Sequence, residues 1–165
     1  MPSTLVLGLG NPLMGDDGLG LVALARLRAE FEFPPEVSLV DGGTWGMNLL
    51  HLIEEADRLV LLDAIDTGEV PGTVNFLERH ELPRFFAHKL SPHQIDLREV
   101  LALAELRGRL PDDVVAIGIQ PLQVEMGERV SLPVANAMEA LVELTVAHLE
   151  AWGHLCCRRH EAIGA

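Results

Sequence analysis

The sequence predicts an α/β fold: a twisted, mostly parallel five-stranded sheet with helices on both faces, a three-layer α/β/α sandwich. Three observations carry this prediction. Short aliphatic runs alternate with amphipathic helical stretches along the whole chain. The run RLVLLDAI over 58–65 shows almost no polar alternation, as a strand buried on both faces requires. Strong helix punctuation separates the runs: Ser91-Pro92 opens one helix and Gly153 closes another.

The elements follow in order. Residues 4–10 (TLVLGLG) form a buried strand. Residues 19–31 carry an apolar stripe at Leu19, Val22, Ala23, Leu27 and Phe31, which is helical spacing. Residues 37–40 form a second strand, ended by Asp41-Gly42-Gly43, and residues 47–55 a short helix. Residues 58–65 are the third strand. Pro71-Gly72 makes a turn into a fourth strand over 73–77. Residues 91–107 form a helix with Ser91 as N-cap, Pro92 at N1 and Gln94 at N3, a capping box. Residues 114–119 are the fifth strand and 133–152 a long helix. Residues 1–155 read as one domain and 156–165 as a flexible tail without periodicity.

Composition narrows the function classes. The 12 Lys and Arg against 25 Asp and Glu give a net charge of −13. Nucleic acid is therefore not expected as a partner, because phosphate contacts need clustered cations. No apolar run approaches the roughly 20 residues that a bilayer demands, and no basic region precedes the first apolar stretch. The two cysteines, Cys156 and Cys157, are adjacent and cannot build a disulfide framework, so a reducing, cytoplasmic location is expected.

If the strand order reverses between the first and third strands, a crevice opens at their carboxyl ends, and chemistry belongs there. Asp17, Asp63 and His93 point to it, with Asp16 beside the first. In GLGNPLMGDDG over 8–18, Asp16 suits a helix cap and Asp17 projects from the first turn; either carboxylate can act as a base. Asp63 sits late in a buried strand, where a carboxylate needs a partner or a cation. His93 lies in the first turn of its helix, where the dipole favours a neutral imidazole. Two carboxylates and an imidazole suit Ni²⁺, Zn²⁺ or Mn²⁺. An antiparallel fourth strand would change the route by which His93 arrives. His154, His160, Cys156 and Cys157 form a weaker metal-binding cluster in the tail.

The first loop also approaches a dinucleotide fingerprint, with Asp41 placed for a ribose. Leu13 stands at the third glycine position and Pro12 removes a donor, which disfavours that use. Peptidyl-tRNA hydrolases share the strand and GLGNP, but need an early histidine and a basic surface. A non-enzymatic nickel-binding module is the remaining alternative.

The motifs LVLGLGNPLMGDDGLG (5–20), DGGTWGM (41–47), DAI (63–65) and KLSPHQ (89–94), in that order, resemble those of the [NiFe]-hydrogenase maturation endopeptidases. The resemblance implies a monomeric cytoplasmic protease. Such an enzyme removes a C-terminal extension from the hydrogenase large-subunit precursor after nickel insertion. It also implies that Asp17, Asp63 and His93 contact nickel carried by the substrate. The glycines of the second motif permit close approach of a peptide backbone, so Gly42, Gly43 and Thr44 are expected to line the substrate.

Overall fold

A computed structural model describes residues 1–42, 46–87 and 92–159; the side chains of residues 92–96 lie outside this description. Five strands form the main sheet: β1 (Thr4–Gly8), β3 (Val37–Asp41), β4 (Arg58–Ala64), β5 (Val74–Glu78) and β6 (Asp113–Ile119), in the order β3-β1-β4-β6-β5. The first four in that order are parallel. Strand β5 runs antiparallel at the edge. The order reverses between β1 and β4, so the switch point at which a crevice is expected lies at their carboxyl ends.

Side-chain alternation divides the core into two layers. On one face Val6, Val60, Leu62 and Ile117 meet helices α1 (Leu19–Glu30) and α5 (Leu132–Ala151). On the other, Leu5, Leu7, Leu59, Leu61 and Ala116 meet α2 (Leu50–Glu55), α3 (Leu82–Phe86) and α4 (Pro92–Leu106). Strand β4 thus has no solvent face, which explains its unbroken apolar run. The buried side of α1 is Leu19, Gly20, Ala23, Leu24 and Leu27, whereas Val22, expected in the stripe, is exposed.

Gly20 lets α1 approach the sheet closely. A Cβ there would lie 2.1 Å from the Leu62 carbonyl oxygen, an impossible contact. Gly20→Ala must push α1 away from β4, and we expect a loss of about 2–4 kcal/mol, readable as a lowered midpoint in urea. An unchanged midpoint would contradict this packing.

Although β5 is antiparallel, α4 still begins at the carboxyl edge. Its last turns reach the opposite edge: Glu105 pairs with Arg79 at 3.7 Å, and the Arg107 Nε donates to Glu54 at the end of α2 at 2.9 Å. Arg79 directly follows β5, whose last residue pairs with Val115 near the start of β6. A 15-residue helix is about 22 Å long, so Pro92 and His93 stand at the other end, near the turn Gly46–Leu49 against which α4 packs. The predicted Ser91–Gln94 capping box lies outside the described residues.

The segment after α5 departs from the expected free tail. Cys157–Arg158 forms β7, paired antiparallel with β2 (Phe31–Glu32). The Arg158 guanidinium lies 4.8 Å from the Phe31 ring centroid, and Arg159 Nε donates to the Phe31 carbonyl. The same pairing ends α1 at Glu30, so Phe31 belongs to a strand. These contacts span more than 120 positions, which local periodicity cannot register. Residues 160–165 lie outside the described residues.

Candidate active site

The loop between β1 and α1 builds the site. Gly10, at φ 109°, turns the chain just above the end of β1. A Cβ on it would sit 1.8 Å from the Asp17 carbonyl oxygen and 3.5 Å from Asp63 Oδ1. Gly10 therefore lies between the backbone of Asp17 and the carboxylate of Asp63, which places the two acidic residues in one neighbourhood. Asp17 falls in a short 3₁₀ turn, Gly15–Gly18, and its Oδ2 accepts the Asn11 N–H at 2.9 Å. Asp63, one residue before the end of β4, accepts the Ala64 N–H at 2.8 Å. Exposure is 4% for Asp17 and 0% for both Asp63 and Asp16, so this edge concentrates buried carboxyl groups.

Asp16 does something other than the expected helix capping. Its carboxylate accepts the N–H groups of Leu122 (2.9 Å), Gln123 (3.2 Å) and Ser131 (2.6 Å), and the Ser131 hydroxyl at 2.7 Å. Neither the 3₁₀ turn nor α1 has a side-chain cap. Four donors converge on one carboxylate and pin the 121–131 loop beside the site. That engagement disfavours Asp16 as a general base, because abstracting a proton would require breaking the clamp.

His93 occupies the second position of α4 at the same edge, but its side chain lies outside the described residues. Of the expected peptide-lining group, Gly43 and Thr44 likewise lie outside them. Gly42 is buried; its N–H donates to the Gly8 carbonyl at 2.9 Å, and a Cβ would meet Leu9 and Leu49. Its lack of a side chain is used by the packing of these leucines below the crevice.

The geometry also bears on the dinucleotide alternative. The N–H groups of Asn11, Leu13, Met14, Gly15 and Asp17 are all donated to acceptors within the protein, and Pro12 has none. A phosphate cradle needs such donors aimed outward.

Sequence reasoning missed Gln120. It follows β6 at the same edge and is buried. Its Oε1 accepts the N–H groups of Thr67 (2.9 Å) and Glu69 (3.2 Å), and its Nε2 donates to Asp66 at 3.0 Å. A polar residue ending a buried strand at the carboxyl edge was the available signal.

Among the described residues, a separate group of possible metal ligands is Glu78, His80 and Glu81, with ligand atoms within 4.8 Å of one another. It lies at the opposite edge, beside a cleft of about 320 Å³. There Glu78 and Glu81 form the capping box of a short 3₁₀ turn, and Glu81 pairs with Arg84 at 3.0 Å. The tail cluster also separates: the His154 ring is buried against Thr4 Oγ1 at 2.7 Å, Cys157 is exposed, and His160 lies outside the described residues.

Burial, aided by Glu150 and Cys157, pushes the Cys156 thiol up to about 11. The thiolate fraction, and with it nucleophilicity, stays low until pH climbs towards that value. Iodoacetamide at pH 8 is expected to label exposed Cys157 well ahead of Cys156 in the native protein, with both labelled after denaturation. Peptide mass spectrometry showing equal native labelling would contradict this.

No helix among the described residues is long and apolar enough to cross a membrane. The sequence model of the hydrogenase maturation protease family (HycI) matches residues 22–148, which includes Asp63 and His93 but begins beyond Asp17. The hydrogenase expression/formation protein HupD of Rhizobium leguminosarum bv. viciae is 40% identical over 162 residues, covering 97% of this chain and 80% of HupD. The hydrogenase 2 maturation protease of Escherichia coli (strain K12) is 34% identical over 150 residues, 90% of this chain and 92% of that protein. The structure of the hydrogenase maturating endopeptidase HybD from E. coli superposes with a TM-score of 0.90 at 33% identity, over 95% of this chain and 98% of HybD.

Proposed function

The chain belongs to the hydrogenase maturation protease family, and from that premise we propose that Asp17, Asp63 and His93 read nickel already seated in a hydrogenase large-subunit precursor. It is an endopeptidase of hydrogenase maturation, and in this reading it removes the C-terminal extension of such a precursor after nickel insertion. The nickel is substrate-borne in this reading, and the enzyme works as a monomer.

The observation that carries the proposal is the placement of Asp17 and Asp63 around Gly10 at the strand-order reversal. Two buried carboxylates supply hard, anionic oxygen, and an imidazole at the start of α4 supplies a borderline nitrogen; together they suit a divalent first-row ion. A precursor without nickel offers the two carboxylates and the imidazole no ion to coordinate, so its tail is held weakly. A loaded precursor offers that ion, and its tail is held in the crevice.

Hydrolysis then adds water across the amide. The C–O bond forms, the C–N bond breaks, and the departing amine takes a proton. Asp17 accepts the proton of the attacking water through a carboxylate oxygen that does not hold the ion. Asp16 is left out of this step because its four hydrogen bonds fix it to the 121–131 loop.

The test compares nickel-loaded and nickel-free forms of one purified precursor. The loaded form is expected to lose its extension and the nickel-free form to remain intact. Equal processing of both would overturn the nickel-reading role.

A further inference from the structure

The 121–131 loop carries a feature that the catalytic reading does not use. Leu122, Val124 and Met126 are exposed by 53%, 48% and 89%, and Leu13 on the neighbouring loop by 59%. Both ends of the segment are anchored: Ile119 and Val134 are buried in the core. Exposed apolar side chains so concentrated mark a contact surface.

The strip is held in shape rather than left loose. The Gly127 N–H donates to the Leu13 carbonyl at 2.9 Å, and the Gly15 N–H donates to the Gly127 carbonyl at 2.8 Å. The Asp16 carboxylate fixes the segment at Leu122, Gln123 and Ser131. Both tethers run to the loop that carries Asp17, so the strip is held beside that loop. A surface ordered before binding loses less entropy on association.

Charge selects the occupant. Glu125 and Glu128 are interleaved with the apolar residues, and Arg129 is the basic residue of the segment, within a chain of net charge −13. An anionic membrane would be repelled. A second copy would set the same acidic residues against each other. We propose that the strip formed by Leu13, Leu122, Val124 and Met126 docks an extended segment of the hydrogenase precursor that bears apolar side chains flanked by Lys or Arg, and so delivers the scissile bond to the crevice. This rests on the reading of the protein as a processing endopeptidase.

The experiment measures steady-state cleavage of a purified nickel-loaded precursor by the full-length enzyme. Val124→Ser/Met126→Ser is expected to raise KM by about tenfold with kcat within about twofold of wild type. Met126→Leu, which keeps the apolar volume, is expected to leave KM within about twofold of wild type, in contrast to Met126→Ser. Glu125→Gln/Glu128→Gln is expected to raise KM at low salt, with the difference shrinking as salt increases. Thermal melts of the exposed-residue variants should match wild type. An unchanged KM in the serine variant, with wild type cleaving normally, would overturn docking alone. A wild-type dimer abolished by the same substitutions would assign the strip to self-association and overturn it too. Failure of wild type to cleave any loaded precursor would remove the endopeptidase reading and the docking proposal together.

Discussion

Asp63→Asn should reduce processing of a nickel-loaded precursor by about a hundredfold or more while the protein stays folded. The exchange is nearly isosteric, and the Oδ1 that accepts the Ala64 N–H has a counterpart in the amide. What disappears is the negative charge that faces the Gly10 turn at the end of β4. Asp17→Asn and His93→Ala should show losses of the same order, because the three are proposed to act on one ion. The combined variants should lose little more than the worst single one, since groups acting as a unit are far from additive. Losses that multiply would mean that the residues work on separate steps.

Why Asp63 stands out in the amino-acid sequence, while other residues of this edge do not, follows from the range of the interactions. A single carboxylate inside LVLLDAI is conspicuous because burying a charge without compensation is so unfavourable. The strand and helix alternation similarly reveals the elements of the sheet, for these depend on local periodicity, whereas the reversal of strand order between β1 and β4 is set by long-range pairing and enters the sequence reading only as a condition. The direction of β5 is not legible: its five residues fit either orientation, and the choice is made by pairing with β6, about 40 residues later. Asp16 misleads for the same reason. An acid beside a helix start looks like a cap, whereas its partner Ser131 lies 115 residues away. The anchoring of Cys157–Arg158 on Phe31–Glu32 is equally long-range.

Asp16→Ala should be the most destabilising polar substitution tested at this edge. It removes a fully buried carboxylate and leaves the N–H groups of Leu122, Gln123 and Ser131 without their acceptor. Hydrogen bonds to a charged group are worth about 1.5–3 kcal/mol each, but the freed loop can turn to water, so a net loss of about 3 kcal/mol is expected. For a chain of this size that lowers Tm by about 6–12 °C. Ser131→Ala removes only the hydroxyl donor, and should cost about 1 kcal/mol with processing retained. Asp16→Asn should fall between them, since one acceptor oxygen becomes an amide that cannot accept an N–H. Were Asp16 the proton acceptor instead, Asp16→Asn would abolish turnover at an unchanged Tm. Calorimetry and a processing assay on the same three variants therefore separate a clamp from a base.

The same clamp links stability to function. Loosening the 121–131 loop should also weaken precursor binding, because the exposed apolar strip loses its fixed shape. Asp16→Ala is then expected to raise KM in addition to lowering Tm, whereas Gly20→Ala should lower stability with KM unchanged.

The central claim is that Asp17, Asp63 and His93 share one divalent ion at the carboxyl edge of β1 and β4. Anomalous diffraction at the nickel edge, from crystals soaked in Ni²⁺, tests it most directly. The expected result is a peak about 2.0–2.2 Å from a carboxylate oxygen of Asp17, one of Asp63 and an imidazole nitrogen of His93. A peak at Glu78, His80 and Glu81 on the opposite edge, with none between the two aspartates, would contradict it.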